Sequence, residues 1–200
     1  MTRMGLKGRL GVSAVACALA GVIAGATMAL AGDNHPPVAA LLKSDRVPAA
    51  TPADAQNLAD AVARWNIEHP RTGPGSPFTA EATDLLSGVG RERETVTAFR
   101  TQRDWVCFQV RAAGTCGRVD TPSGISFAVL STRSGGVRLY GVAADQVVRV
   151  RVHVNGTARD ALFRNNGFYY QLPLGEASSE IEQVVAVWDD GSTHAFPVRS

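Results

Sequence analysis

Charge is scarce in this chain and nearly balanced. Only 19% of its 200 residues are Asp, Glu, Lys or Arg, and 6% are aromatic. Arg3, Lys7 and Arg9 are the only charged residues before Gly32, which leaves 17 basic and 18 acidic groups over residues 32–200. A body so close to neutral lacks the concentrated basic face of a nucleic-acid-binding protein, and this argues against nucleic acid as a partner. Glycine and proline, at 20 and 10 residues, are too few for a collagenous or low-complexity chain. The 45% of hydrophobic residues is enough to fold around a core.

Catalytic and metal-binding patterns are also missing. There is no Gly-x-Ser-x-Gly elbow and no Gly-x-x-x-x-Gly-Lys phosphate loop. The histidines His35, His69, His153 and His194 each lack a second ligand type at metal spacing, so neither a metal nor another cofactor is expected. Asp189-Asp190-Gly191 supplies two adjacent carboxylates, too few for a calcium shell, and suits a turn.

The chain does carry a leader pattern. A basic start is followed by the uncharged run Leu10–Ala31, which closes on Ala29-Leu30-Ala31. Small residues three and one before Gly32 suit cleavage of a signal peptide, whereas the run's length also suits an uncleaved membrane anchor. Under either reading residues 32–200 lie outside the cytoplasm. Cys17 falls inside the apolar run, so the exported part holds two cysteines, Cys107 and Cys116. An even count in an oxidising compartment predicts a structural disulfide, here stapling a hairpin that reverses near Ala112-Ala113-Gly114.

Residues 32–50 contain Pro36-Pro37 and Pro48 and read as a linker. A helix should follow from Thr51 to Ile67, with Thr51 as cap, Pro52 in the first turn and Asp54 three after the cap. Its apolar stripe is Ala55, Leu58, Ala59, Val62 and Trp65. His69-Pro70 ends it, and a second short helix is expected over Thr79–Leu86, making residues 51–90 a helical stem.

From residue 91 to 200 the pattern turns to strands: one around Val96 and Ala98, then Trp105–Val110, Ile125–Ser131, Val137–Val142, Val147–Val154, Thr157–Arg164, Phe168–Leu172, Ile181–Trp188 and Ser192–Val198. Asn155-Gly156, Asn166-Gly167 and Asp190-Gly191 lie between apolar runs as hairpin turns, and Ser134-Gly135-Gly136 is a further one. Two-residue loops at the two Asn-Gly pairs place Val148 opposite Phe163 and Phe163 opposite Tyr170, with Val150, Ala161 and Leu172 in the next row. Val152 and Val154 share that face. Arg149, Arg151 and His153 take the other, with Arg151 opposite Asp160. The expected fold is a mainly β, antiparallel sandwich, with an open barrel second.

The Val-Arg-Val-His-Val-Asn-Gly stretch, the Asn-Asn-Gly-Phe turn and Trp-Asp-Asp-Gly near the end resemble uncharacterised exported bacterial proteins with an immunoglobulin-like β-sandwich. Trp105-Val106-Cys107 and Thr115-Cys116-Gly117 are similar to a pair seen in such families. The resemblance covers roughly Glu92–Ser200. It implies an immunoglobulin-like fold and an extracytoplasmic compartment, and carries no catalytic residue with it.

Two side-chain sets remain as functional candidates. Arg149, Arg151 and His153, with Arg159 and Arg164 nearby, form a candidate basic strip for a cell-wall polymer, lipid headgroups or a surface protein. Gly114-Thr115-Cys116-Gly117-Arg118 is similar to the cysteine-then-arginine arrangement of sortase-like transpeptidases. That chemistry needs a free thiolate with a histidine, here His153 or His194, and a bond to Cys107 excludes it. The sequence therefore predicts an exported, non-enzymatic β-sandwich module acting by binding or structural display. The alternatives are an extracytoplasmic, cysteine-dependent enzyme using Cys116, and a membrane-anchored sensor domain.

Overall fold

The computed structural model describes residues 49–78, 81–103, 105–111, 113–119, 124–131 and 136–198. The leader over 1–31, nearly all of the linker over 32–50, Cys17 and His35 fall outside the described residues. One α-helix, α1 (Pro52–Glu68), precedes the described strands. Thr51 caps it by accepting from the Asp54 N–H at 3.2 Å, while the Thr51 hydroxyl donates to the Asp54 carboxylate at 2.7 Å. This satisfies orphan donors of the first turn, and Pro52 gives up no hydrogen bond there. The expected stripe buries Leu58, Ala59 and Val62.

Twelve strands form three antiparallel four-stranded sheets. The first is a meander of β1 (Thr83–Val89), β2 (Glu94–Arg100), β3 (Val106–Val110) and β4 (Ala113–Gly117). The second, in the order β5-β6-β10-β9, holds β5 (Ile125–Ser131), β6 (Val137–Ala143), β9 (Leu162–Arg164) and β10 (Gly167–Gln171). The third, in the order β12-β11-β7-β8, holds β7 (Val147–Val154), β8 (Thr157–Asp160), β11 (Ile181–Trp188) and β12 (Thr193–Pro197). The expected β-rich antiparallel architecture is present, and the described strands close no barrel.

The first sheet starts earlier than expected. Thr83–Val89 is a strand where a second helix was expected, so the stem over 51–90 includes an edge of the β-structure. The pairing of β1 with β2 slips between Asp84 and Leu86 and again before Val89. The irregularity buries consecutive residues, Leu85 and Leu86. An alternating pattern is therefore not visible in the sequence.

The other correction concerns the proposed three-stranded meander. Asn155 and Gly156 both have positive φ, 49° and 71°, and form the expected two-residue turn. Arg151 pairs with Asp160 as anticipated. Beyond Ala161, however, the chain leaves the third sheet and joins the second as β9. The next turn is Asn165-Asn166, with φ of 51° and 62°, instead of Asn166-Gly167. Phe163 therefore faces Phe168, two residues from the expected Tyr170, and an even shift keeps the same face. Gly167 is needed in the strand, because a Cβ there would come within 2.7 Å of Leu85 Cβ. Asparagine tolerates the left-handed turn. Asn166 is held there by bonds to the Ala143 carbonyl at 3.0 Å and Asp145 Oδ1 at 2.8 Å.

The second sheet lies between the other two. Every residue of β6 is buried. Leu139 shares a face with Tyr170, whose hydroxyl meets Arg159 of the third sheet at 3.2 Å. Arg138, Tyr140 and Tyr169 point the other way, towards the first sheet. Tyr140 donates to the Ala113 carbonyl at 2.9 Å and sets its ring edge-on to Phe108, centroids 6.0 Å apart. Arg138 bridges Glu92 and Glu94, each at 2.8 Å, while Arg111 pairs with the same two carboxylates. Tyr169 completes the cluster by donating to Glu94 at 2.8 Å. The Glu94 side chain is wholly buried and that of Arg138 is 3% exposed. Mutual pairing is what makes burial of both charges tolerable.

Two outcomes follow from this interior. Arg138→Met is expected to lower stability by about 3 kcal/mol in urea unfolding, because Glu94 loses its buried cation, and Glu94→Gln in the same chain should recover much of it. Burial, and secondarily the charge of Glu94, pushes the Tyr140 hydroxyl up to about 12 from 10.0, and burial raises Tyr169 too. The unfolded chain therefore loses these protons first, so their contribution is complete below pH 10 and falls away as pH rises towards 12. For Tyr140 alone a two-unit shift amounts to about 3 kcal/mol, and Tyr140→Phe should flatten that part of the stability–pH curve.

Candidate functional site

Alternation along β7 builds the candidate strip. Val150, Val152 and Val154 are fully buried, so Arg149, Arg151 and His153 project from the opposite face of the third sheet. Successive outward residues of a strand are about 7 Å apart, giving a row of cationic or protonatable groups on a rigid support. On one side the row meets β8, where Asp160 pairs with Arg151 and Ala158 with His153. On the other it meets β11, where Val187, Val185 and Gln183 lie opposite Arg149, Arg151 and His153. β12 continues this face with Thr193, Ala195 and Pro197. The strip thus borders a face of small and apolar side chains, of which Val185 is buried, Val187 half-buried and those of β12 exposed.

Among the described residues, one acid is paired with the row. Arg151 Nε lies 3.4 Å from Asp160 Oδ1, with the two side chains 42% and 62% exposed. An ion pair this open is worth at most about 1 kcal/mol, so a ligand can compete for Arg151 at little cost. Arg149 makes no ion pair among the described residues.

Arg159 does not belong to this row. It lies opposite Val152, on the inward side of β8, and reaches across the open edge between the sheets. Its guanidinium meets the Tyr170 hydroxyl at 3.2 Å and Glu176 at 3.6 Å. Both contacts raise its pKa, Tyr170 contributing most, which keeps Arg159 charged as a tie between the second and third sheets. Arg164 is on β9, in the second sheet. The sequence therefore placed three members of the row on one strand face and added two arginines that lie elsewhere, Arg159 because its position on β8 faces inward and Arg164 because the chain changes sheet at Ala161.

The apolar flank was missed for a local reason. The turn after β11 is Asp189-Asp190-Gly191, closed by Trp188 N–H to Ser192 O at 2.9 Å and with Gly191 at φ 84°. A three-residue loop of this kind moves the register by one relative to a two-residue Asp-Gly turn. His194 consequently faces Ala186 instead of Val187 and stands edge-on to Trp188, ring centroids 5.7 Å apart. Thr193, Ala195 and Pro197 take the outward positions.

Cys107 and Cys116 are directly opposed on β3 and β4, their sulfurs bonded at 2.10 Å. Val110 pairs with Ala113 at the end of this hairpin, and Arg111 takes a positive φ of 55° where the chain reverses. Cys116 is 3% exposed. His153 and His194 belong to the third sheet, with the second sheet between them and Cys116. The arrangement therefore brings neither of these two histidines to the sulfur. His69 caps the end of α1, its Nδ1 3.3 Å from the Trp65 carbonyl. Among the described residues, no three His, Cys, Asp or Glu side chains gather as a metal site. No helix among them is long and apolar enough to cross a membrane.

Compared with known proteins, the chain matches no family model, no curated sequence and no solved structure. Its function must therefore be argued from its own residues.

The cysteine pair gives a direct check. Native protein treated with a thiol-alkylating reagent is expected to take up no label on Cys107 or Cys116, and two labels after reduction in denaturant, read by peptide mass. A label on Cys116 in the untreated native chain would reopen the nucleophile reading.

Proposed function

We propose that this chain is an exported, non-enzymatic module with an immunoglobulin-like β-sandwich, which binds an anionic cell-wall polymer through the outer face of its third sheet. The observation that carries the reading is the outward row Arg149–Arg151–His153, with one weakly held acid beside it and an apolar flank along β11 and β12. Positive groups on a rigid face attract a polyanion at long range, and neighbouring apolar surface adds contact once it docks.

Strand order supports the immunoglobulin-like part. Labelling β5 to β12 as A, B, C, C′, D, E, F and G turns the second sheet into A-B-E-D and the third into G-F-C-C′. These are the two sheets of that sandwich, with one additional strand beside C. The first sheet and α1 are then additions outside the sandwich. The bonded cysteines suit an oxidising compartment. Residues 1–31 act in this reading as signal peptide or membrane anchor, and 32–50 as the linker that carries the domain clear of the surface.

Binding to a phosphate-containing wall polymer, set beside binding to vesicles of anionic lipid, tests the proposal. Arg149→Glu with Arg151→Glu should weaken polymer binding about tenfold or more, equivalent to about 1.4 kcal/mol, and raising salt should weaken the wild type in the same direction. Unchanged binding by the double variant would reject the strip as the ligand face. Binding to vesicles alone would move the ligand to lipid headgroups.

A further inference from the structure

The disulfide does not sit in the core formed by the three sheets. Cys107 and Cys116 belong to a separate cluster with Leu58, Val62, Ala82 and Phe99. Leu58 and Val62 come from α1, so the helix covers the bonded pair on the face of the first sheet that points away from the second. Both cysteines are almost completely buried, at 0% and 3% exposure. Ala50, Ala55 and Trp105 pack against this cluster, and the neighbouring row of the sheet is polar or small. Asp84, Thr97 and Gln109 form one cross-strand row that continues to Gly114. Thr97 spends its hydroxyl on Asp84, at 2.7 Å, and Gln109 Nε2 donates to the Asp54 carbonyl at 2.8 Å.

The hold on the helix is correspondingly light. Only Leu58, Ala59 and Val62 of its seventeen residues are buried. A helix of this length is marginal in water without its packing partner. A small satellite cluster that shares no side chain with the main core can open on its own, as a local unfolding unit.

We propose that α1 is a reversible lid over the Cys107–Cys116 disulfide, so that a thiol reductant reaches the sulfurs only when the helix lifts. In the lifted state a thiolate of a dithiol reductant attacks one sulfur and forms a mixed disulfide, and the other cysteine leaves as a thiolate. The second thiol of the reductant then closes its own disulfide and frees the first cysteine. Two electrons pass from the reductant to the pair, and the released thiolates take up protons from solvent. Coupling between the two events is reciprocal: if the docked lid favours the bonded pair, the bonded pair favours the docked lid by the same factor. Reduction therefore loosens the docking of α1 on the first sheet, while Ala49 and Ala50 keep their own pairing with Thr83 and Ala82.

The test is the rate at which dithiothreitol reduces the native, oxidised protein, followed by mass after acid quenching. The wild type should react at least a hundredfold more slowly than the chain unfolded in urea. Leu58→Ala and Val62→Ala should each speed reduction about tenfold or more. Leu139→Ala, which opens a cavity in the main core, serves as the control. If the lid opens locally, that variant reduces at the wild-type rate despite its lower global stability. Reduction of Leu139→Ala accelerated in full proportion to its loss of stability would mean that only global unfolding exposes the bond, and would overturn the proposal. So would a wild type as reactive as the unfolded chain, or lid variants with unchanged rates. Hydrogen exchange supplies the converse readout. In the Cys107→Ala/Cys116→Ala chain the α1 amides should exchange faster while those of β6, β7 and β11 keep their protection, and unchanged α1 exchange would reject the coupling.

Discussion

β6 has no face in water, and much of the remaining architecture answers that constraint. A sheet with one wet side can leave its polar groups to solvent, but a sheet covered on both sides must satisfy each of them from within. Arg138 is therefore matched by Glu94 and Glu92, Tyr169 by Glu94, and Tyr140 by a carbonyl of β4. Close approach of backbones is arranged by glycine where a side chain would collide, as at Gly167 against Leu85 and Gly141 against Phe168. The packed first sheet is thus held to the second by directional contacts as well as by apolar area.

The strands themselves were largely legible. β7 alternates from Val150 to Val154 because that stretch has one buried face, and Asn155-Gly156 turns where its dihedral preference says it should. The failures have physical causes that sequence patterns do not carry. Gly167 looked like a turn residue, but its missing side chain serves packing between sheets, and Asn165 takes its place in the turn. Asp190-Gly191 was recognised as a reversal, yet one additional loop residue exchanged the two faces of β12. β1 was hidden by irregular pairing, which buries Leu85 and Leu86 in succession.

The candidate ligand face shows the same division. Period-two alternation brought Arg149, Arg151 and His153 together correctly, since they share one uninterrupted strand. Arg159 and Arg164 were added on nearness in sequence; Arg159 sits at an inward position of β8, and the crossing at Ala161 carries Arg164 into the second sheet. The buried cluster around Glu94 left no comparable trace. Its members come from the turn and second strand of one hairpin, the reversal of the next and two strands of another sheet, so only the packing of the two sheets assembles it.

The Cys107–Cys116 bond joins two strands that are already neighbours, and this limits what it can do under tension. Stretching the molecule between Ala49 and Pro197 would draw out roughly 500 Å of chain, of which the loop inside the bond hides only about 30 Å at about 3.5 Å per residue. The crosslink therefore sets no appreciable limit on extension. Mechanical resistance has to come from the hydrogen-bonded ladders and from the ionic contacts between sheets. A pull from the amino-terminal side first meets the bridge of Ala49 to Thr83 and the bond from the Ala50 N–H to the Ala82 carbonyl, so this short pairing would yield before α1 and the ladders carry the load.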